Sequence, residues 1–299
     1  MHSPVGVRAA CIDIGSNTTR LLVADCVDGA LAEVYQERAF TRIGKGLAAS
    51  GAIGADKIEE VVSVVLRQLV VAREHGAAEI RGVATAAIRT ASNGAALVEA
   101  IAAGTGLQVQ IVSGEDEARL AFRGAAAMLE PETAARCRQL GVIDVGGGSS
   151  EVVVGAAPDR VGWWASVPIG SGALSDHWLH SDPPSRGELE SARHEVAAAL
   201  AGLAPPCPEV AVAVGGSATS LGRVAGPVLD AAAFERALAV LASEPAAAVA
   251  ERFLIDPQRA RLLPAGLLIL QGASRLLEAT IQVGRGGIRE GVLLEALGA

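Results

Sequence analysis

The sequence predicts an α/β protein with two similar domains that flank a central cleft. One stretch occurs twice, once in each half: an apolar strand, an aspartate, a small glycine-containing turn and a second apolar strand. The two copies are residues 9–24 (AACIDIGSNTTRLLVA) and 140–154 (LGVIDVGGGSSEVVV). The chain has 299 residues, of which 51% are hydrophobic, and can therefore form two cores. One such hairpin is a weak signal, but a matched pair predicts two domains that present equivalent loops to one ligand.

The formal net charge of −8 argues against general binding of nucleic acids or acidic membranes. A polyanionic substrate would then be attracted by local arginines and metal ions. No apolar run reaches membrane-spanning length, and the first residues lack the hydrophobic region of a signal peptide, which predicts a soluble cytoplasmic protein. Structural zinc is not expected, because no paired metal-binding spacing occurs among Cys11, Cys26, Cys137 and Cys207.

The first half of the chain alternates strand and helix patterns. The predicted strands are 9–14, 20–27, 30–40, 80–85 and 108–112, with an Asp28-Gly29 turn before the third. The predicted helices are 55–75, 94–104 and 113–128. Gly76 is expected to end the first of these helices, and Ser113 to cap the last. A break at residues 130–132 sets the boundary between domains 1–127 and 128–299.

The second half follows the same alternation and becomes mostly helical toward its end. After the hairpin at 140–154, the predicted strands are 161–168, 209–214 and 281–283. A turn is predicted at 169–172. The predicted helices are 187–203, 231–241, 245–252, 257–262 and 265–279. Arg289-Glu290-Gly291 is expected to precede a final helix, which packs back on the first domain.

The glycine-rich hairpin of the second half suits a phosphate ligand. Residues without a Cβ let the backbone approach a ligand and turn several N–H groups toward one point. This loop contains Gly146, Gly147, Gly148 and Ser149. Asp144 and Glu151 lie on either side of it, and their carboxylates suit a hard divalent cation. The alternative is an ordinary glycine-rich hairpin turn.

The matching loop of the first half contains Gly15, Ser16, Asn17 and Thr18. The side chains of Asn17 and Thr18 could donate to phosphate oxygens, although an Asx turn is the alternative for Asn17. Asp13 occupies the position that Asp144 has in the second copy. The Arg20 side chain either points into the cleft or lies on the surface of the strand.

Two further segments have anion-binding character. Arg42 and Lys45 lie in a glycine-flanked loop, RIGKG, where they could capture phosphate; a solvated turn is the alternative for Lys45. Gly216 and Ser217 follow a predicted strand at the start of a helix, whose N-terminus favours anions.

These motifs resemble those of the exopolyphosphatase and guanosine pentaphosphate phosphohydrolase family. The segments that carry the resemblance are DIGSNTTRL from Asp13, SGEDEARL from Ser113 and DVGGGSSE from Asp144. The resemblance covers nearly the whole chain, in the family's short form. It places the chain in the acetate kinase, sugar kinase, Hsp70 and actin superfamily. It therefore implies two ribonuclease H-like domains with mixed sheets.

The resemblance also implies roles for individual residues. Thr85 and Arg89 would contact phosphate, whereas the sequence alone gives Arg89 only a surface role. Glu117 would activate the attacking water, while the neighbouring Glu115 suits the helix dipole. The metal, Mg²⁺ or another divalent cation, would be held by the acidic residues Asp144, Glu151 and Asp13.

The function predicted from this resemblance is an exopolyphosphatase that releases terminal phosphate from short inorganic polyphosphate. Hydrolysis of guanosine pentaphosphate is the alternative within the family, and the motifs do not separate the two. A sensor that binds alarmones or nucleotides without turnover is an alternative of another class, although it would not need three acidic residues. A sugar or acetate kinase lacks a visible acceptor pocket. The resemblance further suggests a homodimer.

Overall fold

A computed structural model describes residues 7–27 and 29–298 of the chain, and Asp28 of the predicted turn lies outside the described residues. The chain divides into two compact units. One contains the described residues up to Ala127 together with those from Gly287 onward, and the other contains Met128–Gly286. No helix in the described ranges is long and apolar enough to cross a bilayer.

Eleven strands form two mixed sheets in the described residues. They are β1 Val7–Ile14, β2 Thr19–Val27, β3 Ala30–Ala39, β4 Glu79–Ala84, β5 Val109–Ile111, β6 Leu140–Val145, β7 Ser150–Ala156, β8 Arg160–Val167, β9 Val210–Val214, β10 Val228–Leu229 and β11 Ile281–Val283.

The helices of the described residues are numbered in chain order. They are α1 Leu47–Ser50, α2 Ala55–Glu74, α3 Ala86–Thr90, α4 Gly94–Thr105, α5 Gly114–Ala127, α6 Pro131–Arg136, α7 Ser171–Trp178, α8 Arg186–Leu200, α9 Gly215–Ala225, α10 Ala231–Ser243, α11 Ala246–Phe253, α12 Pro257–Ala260, α13 Leu263–Leu276 and α14 Ile288–Ala296.

The first unit contains a five-stranded sheet in the order β3-β2-β1-β4-β5. Strands β1 to β3 form an antiparallel meander, and β4 runs parallel to β1 and to β5. Ile12 and Ile14 pack into a core with residues of α2 and α4, such as Leu69. Cys11 and Leu120 belong to a second cluster, which includes residues of α5 and α14. Helices therefore cover both faces of this sheet.

The second unit contains a six-stranded sheet in the order β10-β11-β9-β6-β7-β8. Strands β6 to β8 form an antiparallel meander, and β9 runs parallel to β6, as β4 does to β1. One large core joins this sheet to helices that include α8, α9, α10 and α13. The prediction of an α/β fold with two mixed sheets is confirmed.

The two hairpins of the repeat have the same register. Ile14 lies opposite Thr19 across the first loop, and Val145 lies opposite Ser150 across the second. Each loop therefore contains four residues, 15–18 and 146–149. The preceding aspartates, Asp13 and Asp144, lie one residue before these pairs, in the first strand of each hairpin.

The crossing of α5 and α14 depends on two glycines. A Cβ on Gly124 would overlap the carbonyl oxygen of Gly287, and a Cβ on Gly291 would overlap that of Leu120. The two helices are thus in backbone contact, which attaches the final helix to the first unit. Arg289-Glu290-Gly291 lies within the first turn of α14, so the prediction that it precedes the helix is wrong.

Other local predictions are wrong or incomplete. The turn predicted at residues 169–172 is instead the start of α7, because carbonyl groups of residues 146 and 147 accept the first N–H groups of this helix. The short elements α1, α3, α6 and β10 were not predicted, since so few residues carry too little hydrophobic periodicity to be recognised.

Gly291→Ala should destabilise the protein by about 1–3 kcal/mol, because the added methyl group has no space against Leu120 O. Thermal unfolding would show this as a lower Tm. Gly187→Ala is the matched control: it lies in α8 with nothing near its Cβ position, so its Tm should be unchanged or higher. Equal Tm values for the two variants would contradict the packing described for α5 and α14.

Helix α8 begins with a capping box in which Ser185 and Glu188 satisfy each other's backbone N–H groups. The Glu188 carboxylate also accepts N–H groups of His180 and Ser181 at 2.8 Å. Partial desolvation opposes ionisation, but these hydrogen bonds prevail and lower the pKa of Glu188 to about 2.

The low pKa of Glu188 predicts a stability contribution at neutral pH that disappears in acid. A depressed native-state pKa stabilises the fold above the unfolded-state pKa, and this contribution is lost as pH falls from about 4.5 toward 2. Glu188→Gln should therefore lower the free energy of unfolding at pH 7 and weaken its pH dependence in that interval. Urea unfolding at several pH values measures this free energy. Plots of the free energy of unfolding against pH that run parallel for the variant and the wild type would contradict the prediction.

Candidate functional site

The first hairpin loop is held by the segment that contains Arg42. The loop closes on itself through Gly15 N–H, which donates to Thr18 O at 2.9 Å. The neighbouring segment then donates twice to loop carbonyls: Arg42 N–H to Asn17 O at 3.0 Å and Gly44 N–H to Ser16 O at 2.8 Å. Both loop carbonyls therefore point toward residues 42–44.

The second loop is held in the same way by the start of α7. Gly146 N–H donates to Ser149 O at 3.0 Å, as in the first loop. Ser171 N–H donates to Gly146 O at 2.9 Å, and the next two N–H groups donate to Gly147 O at 3.0 Å. A Cβ on Gly170 would overlap the Gly147 backbone, so this approach requires a glycine.

This anchoring determines the direction of the loop amides. In a trans peptide the N–H group points opposite to the C=O group. The N–H groups of Asn17 and Thr18 are therefore directed away from residues 42–44, and those of Gly147 and Gly148 away from α7. In the part of the chain that the structure describes, no backbone carbonyl accepts from the N–H groups of residues 16–18 or 147–149. Each loop thus has adjacent N–H donors of the kind that can bind an anion.

Arg42 adopts an unusual backbone conformation beside the first loop. Its φ is 47°, in the left-handed region that non-glycine residues rarely occupy, at a cost on the order of 1 kcal/mol. The bond to Asn17 O and a bond from Lys45 N–H to Arg42 O at 3.1 Å hold this conformation. By contrast, Gly146, Gly147 and Gly148 all avoid positive φ. The constrained residue is the arginine, as expected if its side chain has to be placed near the loop.

Thr85 also lies beside the first loop. Its N–H donates to Ile14 O at 3.2 Å, which places Thr85 level with the start of the loop. Its hydroxyl oxygen is 4.0 Å from the position of a Cβ on Gly15. Thr85 is the N-cap residue of α3, but its side chain makes no capping bond. The fold therefore brings Thr85 to the first loop, and its contact with phosphate stays a prediction.

Arg89 and Glu117 form an ion pair. Arg89 Nη1 donates to Glu117 Oε2 at 2.8 Å and to Val112 O at 2.9 Å. The Glu117 side chain is only 12% exposed and that of Arg89 is 25% exposed. The resemblance predicts that Arg89 contacts phosphate; in the structure its guanidinium is bound to the predicted general base.

The three predicted metal ligands differ in accessibility. Asp144 lies opposite Glu151 in the β6–β7 pair, so their side chains share one face of the sheet. Glu151 is 1% exposed and accepts a hydrogen bond from Ser166 Oγ at 2.8 Å. Asp13 is buried and lies opposite Arg20 in the β1–β2 pair. Within the described ranges, no three His, Cys, Asp or Glu side chains cluster closely enough to hold an ion.

The start of α9, the predicted third anion-binding element, lies beside Asp144. Gly215 has a φ of 82°, and a Cβ there would lie 2.5 Å from Asp144 Oδ1. The Cβ position of Gly216 and the side chain of Ser217 face protein. Ser217 is buried against Gly266 of α13. A Cβ on Gly216 would lie 2.6 Å from Arg259 Nη2.

Arg259 was missed by the sequence analysis. It is a buried arginine on the one-turn helix α12, and its guanidinium lies against the start of α9. Nothing in its sequence context, DPQRAR, distinguishes it from a surface arginine. Only the tertiary contact with Gly216 reveals its position.

The two mixed sheets, each with a hairpin loop in the same register, place the chain in the actin-like class of two-domain α/β proteins. The model of the Ppx/GppA phosphatase family matches residues 22–299. Exopolyphosphatase 1 of Mycobacterium tuberculosis and that of Mycobacterium bovis are each 30% identical to this chain, over 97% of it and 88% of their own length. The chain belongs to the Ppx/GppA phosphatase family.

Solved structures agree with this assignment. The Aquifex aeolicus member of the Ppx/GppA family is 28% identical to this chain and superposes with a TM-score of 0.80, over 97% of both chains. An exopolyphosphatase from Cytophaga hutchinsonii superposes with a TM-score of 0.83 at 22% identity, over 97% of this chain and 98% of its own. The second likeness shows the shared fold. The family predicted from the three sequence motifs is thereby confirmed.

Proposed function

We propose that this protein is an exopolyphosphatase that hydrolyses the terminal phosphoanhydride bond of short inorganic polyphosphate. The observation that supports this most directly is the pair of hairpin loops in which the N–H groups of residues 16–18 and 147–149 have no backbone acceptor among the described residues. Such donors suit phosphate oxygens, which carry charge at every unit of the polymer. The names of the mycobacterial relatives point to the same substrate.

In this proposal the loop amides bind phosphate oxygens, and neighbouring side chains complete each site. Thr85 adds a hydroxyl donor beside the first loop. Arg42 and Arg20 add positive charge, which a protein with a net charge of −8 has to supply locally. Gly216 and Ser217 would contribute backbone N–H groups at the start of α9, because the Cβ position of Gly216 and the side chain of Ser217 face protein.

Glu117 is the proposed general base. A water molecule attacks the terminal phosphorus, and Glu117 accepts its proton. The bond from this phosphorus to the bridging oxygen breaks, which releases inorganic phosphate and a chain one unit shorter. A carboxylate beside an arginine, in a largely enclosed position, is well suited to hold one orientation during this transfer.

Because no three acidic side chains cluster in the described residues, a divalent cation, Mg²⁺ by preference, would be held by one or two carboxylates of the second unit together with phosphate oxygens of the substrate. Asp144 is the best candidate ligand, because it lies next to the start of α9 and its side chain is only partly buried. Glu151 shares its face but is enclosed and already accepts from Ser166, which favours a supporting role. Asp13 is the equivalent of Asp144 in the first unit. The cation would offset negative charge on the phosphates.

Glu117→Gln should reduce phosphate release from short polyphosphate by about 10²–10⁴-fold, because the amide cannot accept the proton of the water. Release of inorganic phosphate in the presence of Mg²⁺ measures this. Glu115→Gln is the matched control: it removes an exposed acid from the same helical turn and should leave the rate nearly unchanged.

The same assay with guanosine pentaphosphate separates the two substrate classes of the family. Faster release of phosphate from guanosine pentaphosphate than from polyphosphate would show that the nucleotide, and not polyphosphate, is the preferred substrate. Binding of either compound without any release would instead indicate a sensor and overturn the enzymatic proposal. Homodimer formation stays a prediction of the family resemblance.

A further inference from the structure

The guanidinium of Arg89 is fixed by two acceptors that come from different parts of the first unit. Both bonds involve Nη1, which donates to Val112 O at 2.9 Å and to Glu117 Oε2 at 2.8 Å. A guanidinium presents its donors in a rigid plane, so two bonds at these distances define its orientation. The orientation of the Glu117 carboxylate is defined with it.

Each member of this arrangement is attached to the backbone near the first loop. Arg89 N–H and Ile88 N–H both donate to Thr85 O at 3.0 Å, so the single turn of α3 connects Arg89 to the residue beside the loop. Val112 N–H donates to Ala84 O at 3.0 Å, which fixes the acceptor carbonyl relative to the end of β4.

The burial of this pair distinguishes it from ordinary surface ion pairs. The side chains of Arg89 and Glu117 are 25% and 12% exposed. On the same helix α5, Arg119 pairs with Glu295 and Asp116, but these side chains are 38–47% exposed. Exposed pairs of that kind contribute little to stability. The Arg89–Glu117 pair is enclosed and includes the candidate general base, so it can fix the orientation of that base.

We infer that Arg89 is a positioning residue for Glu117, which it holds in the orientation needed to accept a proton from the attacking water. The inference rests on the proposed function. It differs from the role of phosphate ligand that the family resemblance implies for Arg89. A phosphate ligand contributes mainly to substrate affinity, whereas a positioning residue contributes to the chemical step.

Kinetics of Arg89→Gln on short polyphosphate separate the two roles. Loss of the positioning contact should lower kcat by about tenfold to a hundredfold, as expected for a displaced catalytic group, and leave KM within about threefold. Added guanidinium ion should restore part of kcat. Arg119→Gln, which removes an exposed arginine from α5, should retain both kinetic constants.

A double variant makes the test sharper. If Arg89 acts through Glu117, Arg89→Gln should cost almost nothing once Glu117→Gln is present, because the effects of coupled residues are not additive. Arg89→Lys, which keeps the charge and one contact, should fall between wild type and Arg89→Gln. It also serves as the test variant if Arg89→Gln does not fold.

Two outcomes would overturn the inference. One is a raised KM with kcat retained in Arg89→Gln, which would make Arg89 a phosphate ligand. The other is additive losses in the double variant. A wild-type protein that releases no phosphate from polyphosphate or guanosine pentaphosphate would give a third, separate result: the proposed function would fail, and this inference with it.

Discussion

Backbone hydrogen bonds to the carbonyl groups of two hairpin loops are the constraint on which the candidate site depends. Gly44 N–H donates to Ser16 O at 2.8 Å, and Ser171 N–H donates to Gly146 O at 2.9 Å. Each bond turns a loop carbonyl toward the protein and the following amide away from it. The close approach to the second loop requires a glycine at position 170, where a Cβ would overlap the loop backbone. Backbone geometry thereby turns loop N–H groups outward twice in one chain, and the proposed function uses them to bind phosphate.

The repeat was visible in the sequence because strand periodicity, an aspartate and small turn residues are all local signals. They gave the two hairpins, the family and the residues of both loops. Thr85 lies beside the first loop, but only the family resemblance singled it out, and its contact with phosphate stays a prediction. The wrong turn at residues 169–172 shows the limit of local reasoning. Helix α7 starts there because carbonyls some 25 residues earlier accept its N–H groups.

Contacts that depend on long-range packing could not be predicted from the sequence. The ion-pair partner of Arg89 is Glu117, which lies 28 residues later, and no local sequence pattern predicts this contact. Arg259 approaches Gly216 from a separate helix, and Gly291 of the last helix meets Leu120 of the fifth. In each case the role of the glycine or arginine depends on a contact with an element that is distant in the sequence. Side-chain roles are therefore less predictable here than strands and loops.

The most direct measurement of the central claim is a titration of the ¹⁵N-labelled protein with tripolyphosphate and Mg²⁺, observed through the amide signals of both loops. The account predicts saturable shifts of the N–H signals of residues 16–18 and 147–149. The signals of Gly44 and Ser171, whose N–H groups already donate to loop carbonyls, should move much less. Unchanged loop signals at concentrations that support phosphate release would contradict the account.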